Sequence, residues 1–152
     1  MTTHVAIGAS SWRDYIFSAV PAALLWRDRI GFHPIILRTG DWAARPRGVT
    51  VLKSLAEHKI DHYHVGPAVG YEESTMAQNC RQHIGCLDLP AEDWAMPSDA
   101  DLWPIRKEYY QEASDWGICY NANMDHYSTL PTCHVSLPMV IWRELYKVKA
   151  GD

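Results

Sequence analysis

The stretch that decides the fold is Asp93-Trp94-Ala95-Met96-Pro97-Ser98-Asp99-Ala100-Asp101-Leu102-Trp103-Pro104. Its apolar run at residues 94–98 is typical of a buried strand, and the strand ends directly in a D-x-D pair of carboxylates, Asp99 and Asp101. Two carboxylates spaced in this way can face one small site, and Mg²⁺ and Mn²⁺ prefer such oxygen ligands, often together with phosphate oxygens. Taken alone, the pair is explained at least as well by carboxylates that stabilise a turn or cap a helix. The rest of the chain is needed to choose between a structural role and a metal site.

The chain before this stretch alternates apolar runs with amphipathic segments. The runs predict strands at residues 4–9, 34–37 and 60–65, and the amphipathic segments between them predict helices at residues 16–31, 49–56 and 74–84. Pro21 lies inside the first helix, which is therefore either kinked or begins afresh there, and Gly31 is its predicted C-cap. Beyond the D-x-D pair we expect a short helix after Pro104, strands at residues 117–122 and 130–136, and a helix from Pro138.

This alternation predicts an α/β fold, a three-layer α/β/α domain with a mostly parallel central sheet. Ligands of such sheets bind beyond the carboxyl ends of the strands. The turn at residues 9–12 and the pair Asp99 and Asp101 both follow such ends, so we expect them at the same edge. Pro97 fits less well, because a proline in a central strand removes one hydrogen-bond donor from the ladder.

Length and composition narrow the class of protein. The 152 residues suit one domain, residues 1–152, and the net charge of −4 gives no basic footprint for nucleic acid. No signal-peptide pattern and no apolar run of membrane-spanning length is present, so we expect a cytoplasmic protein whose four cysteines are free thiols. The seven tryptophans and eight tyrosines suit part-polar pockets such as sugar-binding clefts, although most of them are expected to be packing residues.

Four blocks, taken in order, resemble one family, the small nucleotide-sugar-dependent glycosyltransferases of the GT-A fold, and most closely those encoded by chlorella viruses. The first block joins residues 15–26 to residues 30–34, and the second joins Gly70-Tyr71 to Thr75, Gln78 and Arg81. The third is residues 98–104, which contains the D-x-D pair, and the fourth joins residues 130–135 to residues 142–144. Each block alone is weak evidence, whereas the four together are fairly specific.

The resemblance implies a hexosyltransferase-type enzyme with a nucleoside-diphosphate sugar donor, UDP- or GDP-linked, and a glycan or glycoprotein acceptor. It implies that Asp101 binds Mn²⁺ or Mg²⁺ between the donor phosphates. Asp99 would contact the ribose, or the metal through water. A cation at this position would stabilise the negative charge of the departing nucleotide diphosphate. His134 is the favoured later histidine for the metal, before His126, and the alternative for His134 is a hydrogen-bonded structural residue.

Most of the other candidate residues can also be explained by a structural role. Arg81 would lie near the donor or form an ion pair with Asp99 or Glu92. Ser10 and Ser11 would bind the base or ribose, although Ser11 also fits a simple helix N-cap. For an inverting reaction Asp125 is the best candidate for the catalytic base, and Glu144 is the next, without a motif to anchor either residue. Aromatic platforms for sugar are candidates as well, although each is more easily explained by packing, and they are Trp103, Tyr127 and Trp142.

Two alternatives to a glycosyltransferase stay open. One is a non-catalytic nucleotide or nucleotide-sugar binding module on the same fold. The reason is that the chain is shorter than usual catalytic domains of this fold, as expected of a minimal enzyme, a module of a longer chain, or an inactive relative. The other is a nucleotidyltransferase or phosphohydrolase, which also holds phosphates through acidic pairs. That reading predicts a phosphate loop rich in glycine and lysine after the first strand, which residues 9–13 do not form.

Overall fold

The structure, a computed structural model, describes residues 1–12, 15–110, 118–119 and 135–151. Its strands are β1 (Thr3–Ser10), β2 (His33–Thr39), β3 (Asp61–Val65), β4 (Trp94–Asp99), β5 (Ile118–Cys119) and β6 (Val135–Pro138). Its α-helices are α1 (Tyr15–Leu25), α2 (Pro46–Glu57), α3 (Glu73–Cys80) and α4 (Met139–Tyr146). A π-helical turn, Trp26–Ile30, continues α1, a 3-10 segment, Arg81–Cys86, continues α3, and a 3-10 turn covers Lys107–Tyr110.

The strands form one sheet in the order β3-β2-β1-β4-β6-β5. The first four strands are parallel to one another, and β6 runs antiparallel to both β4 and β5. This arrangement confirms the predicted α/β fold with a mostly parallel central sheet. None of the helices in the described ranges has the length and apolar character needed to cross a bilayer.

The core lies on both faces of the sheet, which is why β1 and β4 are buried along nearly their whole length. On one face the core packs around Ile7, Trp26 and Leu55, which belong to β1, the π-helical turn and α2. On the other face it packs around Ile35 of β2 and Trp142 of α4. The three-layer α/β/α arrangement follows from these two cores.

Several predicted helix details differ from the structure. The first helix does not begin afresh at Pro21, because α1 runs through that residue and widens into the π-helical turn only at Trp26. Gly31 is its C-cap as predicted, with φ of 90° and its N–H donating to the Trp26 carbonyl at 3.0 Å. The second helix begins earlier, at Pro46, and buries Val51, whereas Val49 is exposed. The third predicted helix is divided at Cys80, after which the chain tightens into the 3-10 segment.

Pro97 lies inside β4, opposite Ala6 of β1. On the other side of β4, the described ladder with β6 contains only Trp94 and Ala95. The later half of β4 therefore resembles an edge strand on that side, among the strands that the structure describes. A proline is tolerated at such a position because its missing N–H leaves no ladder partner unpaired.

Candidate active site

The carboxyl ends of β1 and β4 lie side by side, with Gly8 in register with Asp99. A cavity of about 450 Å³ opens at this edge, and Ser10, Tyr15, Asp99 and Asp101 line it. The predicted neighbourhood of the first-strand turn and the D-x-D pair is therefore present. Ser10 is buried, and its hydroxyl makes no hydrogen bond to any described residue, so it can bind a ligand in the cavity.

Helix α3 forms one wall of this cavity because Gly8 lets it approach the strand closely. A Cβ atom on Gly8 would overlap the carbonyl oxygen of Ala77 in α3. Without a side chain at residue 8, the helix backbone rests on β1 and brings Ala77 and Gln78 to the cavity wall. The glycine is therefore a packing requirement of the site, not of the backbone conformation.

Arg81 and Asp99 form an ion pair at the rim of the cavity. The Arg81 side chain is 10% exposed and that of Asp99 is 36% exposed, so the guanidinium reaches the carboxylate from the protein interior. A second hydrogen bond, from Arg81 Nε to the Gln78 carbonyl at 2.9 Å, fixes the guanidinium. The ion pair with Asp99, which is one of the two roles expected for Arg81, is therefore present, and it holds Asp99 in place.

Asp101 differs from Asp99 in its surroundings. It lies in the exposed turn after β4, and its carboxylate has no hydrogen-bond or ion-pair partner within the described part of the chain. A carboxylate with both oxygens uncommitted, two residues from a fixed carboxylate, is a donor set that suits a hard divalent cation. No group of three or more histidine, cysteine or acidic residues that could hold a metal occurs among the described residues. The remaining ligands would therefore be phosphate, water or residues outside the described ranges.

Glu73, at the start of α3, is a site residue that the sequence reasoning missed. The backbone N–H of Ser11 donates to one of its carboxylate oxygens, and the Ser11 hydroxyl donates to the other at 3.0 Å. The Thr39 hydroxyl donates to the Glu73 carbonyl at 3.0 Å. Glu73 thus joins the loops that follow β1 and β2. The only sequence signal was an acidic residue in the first turn of a helix, which usually indicates no more than an interaction with the helix dipole.

Two neighbours of Glu73 gain a clear structural role from it. Ser11 is 4% exposed and does not line the cavity, and its side chain supports the loop through its hydrogen bond to Glu73. Gly40 has φ of 77°, and a Cβ atom there would overlap the Glu73 carboxylate. Both the backbone conformation and the space therefore require glycine at residue 40.

Of the remaining predicted residues, Trp142 and Glu144 belong to α4, Trp103 follows the D-x-D pair, and the others lie outside the described ranges. Asp125, His126, Tyr127 and His134 lie outside the described residues. Glu144 is exposed on α4, which begins next to the amino end of β4, and it does not line the cavity. Trp142 is a packing residue, 5% exposed, whose indole N–H donates to the Ala95 carbonyl at 2.8 Å, whereas Trp103 is half exposed.

A larger cavity, of about 880 Å³, lies beside β3 and the outer side of α3. None of the predicted site residues lines it, so its size does not make it the better candidate for the chemistry. Cys80 lines this cavity, and burial raises the pKa of its thiol to about 11. A thiol with that pKa is almost fully protonated at neutral pH and is a poor nucleophile.

The architecture fits a GT-A-like fold, the fold class of a group of glycosyltransferases. Solved structures of 40 chains match it. One of them is the crystal structure of S. aureus TarS, residues 1–349, with a TM-score of 0.52 and 8% sequence identity. TarS is a glycosyltransferase. The match covers 96% of this chain and 49% of the TarS chain, so this chain spans about half of that structure.

The sequence itself has no match to a protein-family model or to a curated protein. At 8% identity, the likeness to TarS concerns the fold alone. The GT-A part of the predicted resemblance is therefore supported by the fold, and the likeness to the chlorella-virus proteins has no support at the level of sequence.

Proposed function

We propose that this chain is a metal-dependent glycosyltransferase domain, which transfers a sugar from a UDP- or GDP-linked donor to a glycan or glycoprotein acceptor. The observation that carries the proposal is the position of Asp99 and Asp101. Both line the cavity at the carboxyl end of a central strand, in a sheet of the GT-A-like fold. The carboxyl edge of a parallel sheet is where such folds bind nucleotides.

The two carboxylates differ in a way that suits two tasks. Asp101, exposed and without a partner among the described residues, would be the ligand of Mn²⁺ or Mg²⁺. Asp99, held by Arg81, would receive the ribose or a metal-bound water in a fixed position. When bound, the cation supplies Lewis-acid stabilisation of the leaving nucleotide diphosphate. Ser10, which lines the cavity at the end of the neighbouring strand β1, would add a hydrogen bond to the base or ribose.

The proposal for the acceptor side rests on sequence alone. Asp125 is the proposed base that removes a proton from the acceptor hydroxyl, and His134 is the proposed additional metal ligand. A direct test is to replace each residue separately. Asp125→Ala should abolish sugar transfer and leave nucleotide binding intact, whereas His134→Ala should weaken nucleotide binding that depends on metal.

A binding module without catalytic activity is the second candidate. It is favoured by the observation that, in the described ranges, the cavity offers two carboxylates but no third metal ligand and no separate base. The two candidates differ in one measurement, the release of UDP or GDP from labelled donors with and without added sugar acceptors. A module would bind the nucleotide with Mn²⁺ and release nothing.

The central experiment measures the affinity for UDP and GDP by calorimetry, with and without Mn²⁺. We expect binding that requires Mn²⁺, and at least about a hundredfold loss of affinity in Asp101→Ala, because a metal ligand is removed. Glu92→Ala is the matched control, since it removes an exposed carboxylate that lines neither cavity. Equal affinities of the two variants, or nucleotide binding that is indifferent to Mn²⁺, would contradict the metal-dependent mechanism.

A further inference from the structure

Two arginines of the chain lie against exposed aromatic rings beside the candidate active site. Arg45 has its Cζ atom 5.8 Å from the centre of the Trp12 ring, and Arg47 has its Cζ atom 5.7 Å from the centre of the Phe17 ring. Both distances are within the range of a cation–π contact. We call these four residues, Trp12, Phe17, Arg45 and Arg47, the arginine–aromatic surface.

The arginine–aromatic surface is open to solvent. Trp12 is 52% exposed, Phe17 is 44% exposed, and both arginines are exposed. The Arg47 guanidinium has no hydrogen bond or ion pair with any described residue, and Arg45 gives one hydrogen bond, from Nη1 to the Ser11 carbonyl at 3.3 Å. A guanidinium stacked on a ring keeps its N–H donors directed to the side, where a planar anion can accept two of them. The surface therefore offers two guanidinium groups next to aromatic rings, and most of their N–H donors are not taken by any described residue.

The Trp12 end of this surface is joined through the chain to the cavity that contains the D-x-D pair. Trp12 lies two residues after Ser10, which lines the cavity, and Arg45 is hydrogen-bonded to Ser11 between them. A chain-like ligand seated on the surface could therefore extend one end into the cavity.

We propose that the arginine–aromatic surface binds the acceptor, and that the acceptor is an oligosaccharide carrying carboxylate groups. This inference rests on the proposed function. The apolar face of a sugar ring packs on an aromatic side chain, while a carboxylate on the same ring accepts a bidentate pair of hydrogen bonds from the adjacent guanidinium. The whole chain has a net charge of −4, so attraction of an acidic glycan comes from this local pair of cations and not from the overall charge.

The test uses the full chain and a defined probe, an oligogalacturonate of about six sugars, compared with a neutral malto-oligosaccharide of equal length. Binding is measured by calorimetry at two salt concentrations. We expect the acidic probe to bind at least tenfold more tightly than the neutral one, and to weaken as salt rises. Arg47→Gln should weaken the acidic probe about tenfold and Trp12→Ala by a similar factor, whereas the matched charge control Lys53→Gln should change it less than twofold.

Each alternative outcome would overturn the proposal. Equal affinity for the acidic and neutral probes would show that the surface does not recognise the charge of the ligand. Tight binding of an oligothymidylate without binding of oligogalacturonate would indicate a single-stranded nucleic acid as the occupant. Unchanged affinity in Arg47→Gln and Trp12→Ala would place the acceptor elsewhere. Mn²⁺-dependent affinity for UDP and GDP, measured in the same preparations, reports separately on the proposed function, so the failure of one proposal is distinguishable from the failure of the other.

Discussion

At the amino end of β4, Asp93 is buried and both of its carboxylate oxygens are hydrogen-bonded, whereas beyond the carboxyl end Asp101 is exposed and has no partner among the described residues. Asp93 accepts from His4 Nε2 at 2.9 Å and from the Thr2 backbone N–H at 2.7 Å. These bonds hold the pKa of Asp93 below its ordinary value, with the His4 bond as the larger cause.

The difference shows that one strand has a hydrogen-bonded carboxylate at one end and, beyond its other end, a carboxylate that a ligand can reach. A buried carboxylate whose two oxygens are both hydrogen-bonded in the native state stabilises the fold and is not accessible to a ligand. A carboxylate without protein partners contributes little to folding, but it is available to a cation. Asp99 lies between these two cases, since Arg81 holds it while it still lines the cavity.

The largest expected effect is on stability at the amino end. Asp93→Ala should lower the free energy of unfolding by about 3 kcal/mol, because it removes two hydrogen bonds and leaves the buried His4 without its partner. Asp101→Ala should change it by less than about 0.5 kcal/mol, because the side chain is exposed. Urea unfolding of both variants measures the two values. Equal losses would mean that the two ends of β4 do not differ as described.

The second effect concerns the wall of the cavity. Gly8→Ala should lower the free energy of unfolding by about 2 kcal/mol, because the new methyl group overlaps the Ala77 carbonyl and pushes α3 from the sheet. The control is Gly66→Ala, since a Cβ atom there meets nothing within 4 Å. Chemical unfolding of the pair gives the comparison. A tolerated alanine at residue 8 would show that α3 does not rest on β1 as closely as the structure indicates.

The smallest expected effect is the pH dependence that Asp93 adds to the free energy of unfolding. Because the folded pKa of Asp93 lies below its unfolded value of about 3.9, its contribution is complete above that value. The contribution is lost as the pH falls from there through the folded pKa. The stability difference between the natural chain and Asp93→Asn should therefore be largest near pH 6 and shrink as the pH falls towards 2.5. Unfolding curves at four pH values test this, and a difference that stays constant with pH would exclude Asp93 as the titrating group.

Much of the fold could be read from the sequence because it depends on local patterns. The apolar runs predicted the positions of β1 to β4, and Gly31 predicted the end of the first helical segment. The D-x-D pair was correctly assigned to the end of a strand. Errors arose where local pattern was ambiguous. The second helix was predicted to start at the apolar Val49, whereas it begins three residues earlier, at Pro46, and Val49 is exposed.

The candidate site was only partly predictable, because its contacts join distant parts of the chain. Glu73 meets Ser11 across 62 residues, and Arg81 meets Asp99 across 18 residues. No periodicity encodes such pairs, since they depend on how α3 packs against β1 and on the strand order.

By itself, the sequence determined which segments become strands and helices and where the paired carboxylates stand along the chain. Hydrophobic period and turn chemistry are set by neighbouring residues. Only the tertiary structure decided that Asp93 is hydrogen-bonded to His4, that Arg81 forms an ion pair with Asp99, and that Asp101 lines the cavity without a partner among the described residues. Whether a carboxylate is paired or available depends on the groups that the folded sheet brings within hydrogen-bond distance of it.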